Sequence, residues 1–100
     1  MELESIVVKV PKTVVKDLQN KEILFFLLDK ALTKLEYYHS RCKQFEKKYK
    51  KSLEEFKKEV ESSEENFEWW DDLILWEGYY EAYQEWKRKY EEIKLVLQDN

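Results

Sequence analysis

The stretch KEILFFLLDKALTKLEYYHSRCKQFEKKY, residues 21–49, decides the fold. Within it Leu24, Leu28, Ala31, Leu35, Tyr38, Cys42, Phe45 and Tyr49 follow one another at spacings that alternate four and three. A seven-residue repeat held that long lays one apolar stripe along a helix, because side chains three and four apart share a face. The stripe predicts a helix from about Lys21 to Tyr49 and another helix for it to pack against. Near its start, Ile23, Phe25, Phe26, Leu27 and Leu32 fill the positions between stripe residues. That half is apolar around most of its circumference and is expected to be buried on several sides.

The second seam lies toward the carboxy terminus. Trp76, Tyr79, Tyr83, Trp86, Tyr90, Ile93 and Leu97 again alternate three and four, so a helix starting between Glu68 and Leu73 and running to about Leu97 has its own stripe, written in aromatics. Asp71 or Asp72 would suit its positive amino-terminal end. Two seams of similar length predict an antiparallel pair, closed within one chain or across a dimer. Between them Ser52 and Glu55 have capping-box spacing and should open a short helix from Leu53 to about Val60, with Leu53, Phe56 and Val60 on one face. Glu61 to Asn66 is polar and turn-like.

Upstream of the long helix, Ile6, Val8 and Val10 alternate with Val7 and Lys9 until Pro11, which reads as a strand of about six residues. A lone strand leaves its backbone groups unpaired, so it is expected to pair with its copy in a second subunit or with another protein's sheet edge. Pro11 or Lys12 can open a short helix to about Leu18. The expected fold is therefore mainly α: a short amino-terminal β-strand followed by long antiparallel helices, dimeric or higher. Ile6, Val8, Val10, Leu24, Leu28 and Leu35 are the expected oligomer contacts.

One hundred residues suffice for a single domain, and one Gly, one Pro and 40% charged residues favour long helices over tight turns. Lys and Glu dominate the charged set while Gln, Asn, Met and Cys are scarce, a balance found in proteins from hot environments. The net charge of -4 conceals an asymmetry. Residues 1–51 carry 12 basic and 7 acidic groups, residues 52–100 carry 6 and 15. A basic strand–helix oligomerisation part is thus followed by an acidic, aromatic helical part; the two either offset each other or face different partners.

Nothing specific points to an enzyme. His39 and Cys42 lie three apart on the long helix, but two ligands make no zinc site, and no Gly-rich loop offers backbone donors to a reacting group. Phosphate-binding Gly loops, HExxH and calcium-loop spacings are missing, and no cofactor or small-molecule substrate is implied. The longest uncharged apolar run, Ile23 to Leu28, is too short to span a bilayer. With one cysteine and an acidic start to the chain, a cytoplasmic location without membrane partners is expected.

Eight aromatics, Trp69, Trp70, Trp76, Tyr79, Tyr80, Tyr83, Trp86 and Tyr90, fall within residues 69–90. One helix pair cannot hide all of them, and the interleaved acids would attract a basic partner. Two readings stay open: exposed anchors for a partner, or the core of a dimer. The amino-terminal strand offers a further possibility. Paired in a dimer it would form a ribbon able to enter a DNA major groove, with Ser5, Val7 and Lys9 outward and Lys12 nearby.

The segments Phe45-Glu-Lys-Lys-Tyr49, Ser52-Leu-Glu-Glu-Phe56, Glu65-Asn-Phe-Glu68 and Asp71-Asp-Leu-Ile-Leu-Trp-Glu77 resemble small archaeal and bacterial antitoxins of type II toxin–antitoxin pairs, over about residues 43–90. Such proteins show a Lys-Tyr-Gly-Met-Ser-type turn, an acidic spacer and an Asp-Asp-x-x-x-Trp-Glu helix start; here Lys50 and Lys51 stand in place of the Gly-Met pair. The resemblance implies an antitoxin that occludes a basic ribonuclease-type toxin encoded nearby. Trp69, Trp70, Trp76, Tyr80 and Trp86 would anchor it, and Asp71, Asp72 and Glu77 would mimic nucleic-acid charge. A DNA-binding repressor and a structural helical adaptor are the alternatives.

Overall fold

The computed structural model describes residues 1–64 and 66–99 and contains four helices: α1 (Lys12–Val15), α2 (Asn20–Tyr49), α3 (Leu53–Ser62) and α4 (Phe67–Gln98). Both predicted seams are used, and they meet within the chain. Phe45 stacks on Trp76 with ring centroids 5.6 Å apart, and Arg41 lies 5.1 Å over the Tyr79 ring. His39 stacks on Tyr83 at 5.2 Å. Numbers fall along α2 as they rise along α4, so the pair is antiparallel. The result is a rod of 63 × 25 × 21 Å.

α2 ends at Tyr49 because Lys50 takes a left-handed conformation, φ 54° and ψ 40°, while its N–H still donates to the Glu46 carbonyl. A left-handed C-cap is the usual way to stop a helix, but for a residue with a Cβ it costs about 1 kcal/mol or more. Ser52 then caps α3: its hydroxyl accepts from the Glu55 N–H at 3.2 Å and lies 3.1 Å from the Glu55 carboxylate. α3 extends two residues beyond the expected Val60. Glu65, part of the acidic spacer in the antitoxin resemblance, lies outside the described residues. α4 starts at Phe67, earlier than its aromatic stripe indicated, because the Asn66 side chain accepts from the Trp69 N–H at 3.2 Å. Asp71 and Asp72 consequently sit in the second turn, past the reach of the terminal dipole.

The core lies at the end of the hairpin that α3 covers. Cys42, Phe56, Val60, Leu73 and Trp76 are buried together, with Phe45, Tyr49, Leu53, Trp69 and Tyr79 packed around them. Aromatic rings dominate: Tyr49 stacks on Phe56 with centroids 4.1 Å apart, and Trp76 lies tilted against Phe56 at 5.5 Å. Burial raises the pKa of the Cys42 thiol, and Glu46 adds to that shift.

The expected amino-terminal strand does not form. Among the described residues there is no β-strand, and Ile6, Val7 and Val8 are exposed along a segment without regular secondary structure. Alternating β-branched residues favour an extended backbone, but a strand exists only when a second edge completes its hydrogen bonds, and this fold of helices supplies none. The ribbon that would have presented Ser5, Val7 and Lys9 is therefore not built. α1 is likewise a single turn rather than a helix to Leu18. Leu24, Leu28 and Leu35, expected at an oligomer interface, continue the stripe that faces α4 and are half-buried within the chain.

Candidate protein-interaction site

Three of the eight expected partner-binding residues are drawn into the hairpin's own packing. Trp76 is only 1% exposed and presents no surface to a partner. Trp69 lies edge-on to Phe56 at 6.2 Å. Asp72 turns toward α2, where Lys48 reaches it at 2.7 Å and the Tyr49 hydroxyl donates to it. Burial works to raise the Asp72 pKa, but the hydrogen bonds from Lys48 and Tyr49 outweigh it and hold the carboxyl below its ordinary value. Burial and the bond to Asp72 push Tyr49 up to about 12. The Lys48 pKa is raised by hydrogen bonds to Asp72 and to Glu68, the latter at 3.3 Å. This cluster ties α2 to α4.

The other five remain wholly or partly accessible. Trp70, Asp71 and Tyr80 are exposed. Glu77 is half-buried and pairs with Lys57 of α3 at 3.6 Å. Trp86 lies farther down α4, half-buried, with the Lys89 ammonium 4.3 Å from its ring centroid.

Two apolar residues overlooked in the sequence complete the outward surface. Phe67 is 76% exposed and Ile74 65% exposed. With Trp70 between them they recur at spacings of three and four, so all three lie on one line of α4, turned away from Leu73 and Trp76. The pattern was legible, but a helix start placed after Phe67 removed its first member. Gly78 continues the line one turn on, exposed, with nothing within 4 Å of where a Cβ would stand. A glycine at mid-helix sacrifices about 1 kcal/mol relative to alanine, and no internal contact here requires it.

Charge on this face has one sign. Between Lys58 and Lys87 the sequence holds ten acidic residues and no Lys or Arg. Several are neutralised from other elements: Lys51 pairs with Glu59, Lys48 with Glu68 and Asp72, and Lys57 with Glu77. Asp71 and Glu81, which border the apolar line, take part in no ion pair among the described residues. An apolar strip edged by unneutralised carboxylates on a rigid helix is suited to an apolar surface edged by Lys or Arg.

Of the described side chains, no three or more His, Cys, Asp or Glu are grouped to hold a metal ion, and no helix is long and apolar enough to cross a membrane. No protein-family model, curated protein or solved structure matches the chain.

Proposed function

We propose that this elongated helical protein is an antitoxin-like binder whose α4 covers a basic partner protein encoded beside it. The observation that carries this reading is the outward line of Phe67, Trp70, Ile74 and Gly78, edged by Asp71 and Glu81. The apolar residues would supply desolvated anchors and the acids would steer a cationic surface, such as the nucleic-acid groove of a ribonuclease, into register. Gly78 leaves room for a partner backbone to approach α4 closely. The left-handed Lys50, standing where the resembling antitoxins have glycine, is a further point in favour.

The test is co-expression with the product of the neighbouring small gene, followed by affinity measurement. Ile74→Glu and Asp71→Lys, both at exposed sites, should each weaken the complex at least about tenfold while leaving the helical content intact. Raising the salt should slow association. A complex that forms equally well with both variants would sink the assignment.

A further inference from the structure

The hairpin's other end is left open. There α2 begins, α4 finishes, and residues 1–11 run alongside as a strap without regular secondary structure. Met1 to Glu4 line a groove with Leu24, Leu27 and Trp86, while Ile6, Val8 and Val10 line another with Ile23 and Leu27. The strap does not close over the helices: Val7 is 92% and Ile6 81% exposed. Ala31 is the only buried residue of the first 41. Phe25 and Phe26, on the back of α2, are 56% and 71% exposed and line a groove to which neither α4 nor the strap contributes.

Two unpartnered apolar surfaces thus adjoin, and they carry opposite charges. Residues 5–16, from the strap into α1, present Val7, Val14 and Val15 with Lys9, Lys12 and Lys16 and hold no acid; Glu2 and Glu4 line the groove with Lys30 and Lys89, and Asp17 follows Lys16. The back of α2 presents Phe25 and Phe26 with Glu22 and Asp29, the four residues lining one shallow groove. None of Lys9, Lys12, Lys16, Glu22 and Asp29 forms an ion pair among the described residues. We infer that the open end is the interface for a second copy of this chain, the basic strap surface of each copy seating on the acidic Phe25–Phe26 surface of the other.

A two-fold arrangement satisfies both surfaces at once, because in an isologous contact each patch meets its complement twice. Val7, Val14, Val15, Phe25 and Phe26 are each about half or more exposed, and an interface of the roughly 800 Å² per partner of a stable complex would cover them together with their polar surrounds. Two hairpin ends packed together also give four helices around a shared core, which supplies the third layer that α3 provides at the opposite end. The occupant is a second copy rather than an unrelated protein because both halves of the complementary pair are present on one chain.

Sedimentation equilibrium on the full chain over a concentration series tests this. The expected species is a dimer of twice the 12.4 kDa chain mass. Glu22→Lys with Asp29→Lys should weaken dimerisation at least about tenfold, and adding Lys12→Glu with Lys16→Glu in the same chain should restore it. Phe26→Glu should give a helical monomer by circular dichroism. Rescue by the compensating swap is a result that simple destabilisation would not produce. A wild-type chain that stays monomeric at its highest soluble concentration overturns the inference. So does a dimer indifferent to these substitutions, or a monomer that uses Phe26 to hold the neighbouring gene's product. Binding through Ile74 is measured separately, so failure here leaves the α4 assignment standing.

Discussion

The two ends of one hairpin differ in what lies across them. α2 and α4 run through both, with the same heptad spacing on their inner faces. At the capped end α3 lays Phe56 and Val60 over the seam, and each is 1% exposed. Every ion pair between helices among the described residues is there too, from Lys48 and Lys57, and Lys51 in the turn after α2 pairs with Glu59 of α3. At the open end the strap lies beside equally apolar residues without burying them. A heptad seam brings two helices together along one stripe, but burying side chains beyond that stripe needs a third layer.

If stability is concentrated at the capped end, removing its centre should have the largest effect. Trp76→Ala should cost about 3–5 kcal/mol, a large share of the 5–15 kcal/mol typical of a domain, read by urea denaturation. A smaller loss would mean the core is shared more evenly along the rod. Leu73→Ala at the capped end should cost about 2–4 kcal/mol, whereas Leu24→Ala at the open end, measured in the monomeric Phe26→Glu background, should cost about 1–2 kcal/mol. Equal costs would break the comparison.

The polar tie at the capped end gives a pH signature. Asp72 titrates below its unfolded value, so its contribution is present above about pH 4 and is lost as the pH falls through the folded value. Tyr49 and Lys48 titrate above their unfolded values, so theirs are present below about pH 10 and are lost as the pH rises, for Tyr49 through about 12. The thermal midpoint should therefore hold level between these limits and drop on both sides. Asp72→Asn should cost about 1 kcal/mol at neutral pH, because Lys48 is half-exposed and screened, and should soften both limbs.

Two backbone substitutions should act in the opposite direction. Lys50→Gly relieves a left-handed residue and should add up to about 1 kcal/mol by denaturant titration. Gly78→Ala should add slightly under 1 kcal/mol, since a Cβ there meets nothing. In the same variant, complex formation through α4 should weaken. Stabilisation without loss of binding would show that Gly78 is not there for a partner.

Much of the rod was legible from periodicity. The seams from Leu24 to Tyr49 and from Trp76 to Leu97 anticipate α2 and α4, and the Ser52–Glu55 spacing anticipates the start of α3. The strand was misread because Ile6 to Val10 records a local backbone preference, while a strand also requires a neighbour. The site was only partly legible. Composition drew attention to Trp76 and Trp69, the largest apolar side chains, and size is also why the fold buries or packs them. Phe67 was missed because the helix start was placed after it, and the exposure of Ile74 depends on which side of α4 faces α2.

The sequence by itself determined what is local and periodic: a helix from about residue 21 to 49, another ending near residue 97 whose start it placed too late, the cap at Ser52, and the charge difference between the halves. Tertiary structure decided that the two seams close on each other within one chain, and that Trp76 serves the core while Trp70 faces outward. A three-to-four spacing fixes which side chains share a face of a helix. What that face meets depends on contacts between residues far apart in the chain, such as Phe45 with Trp76, which no local pattern encodes.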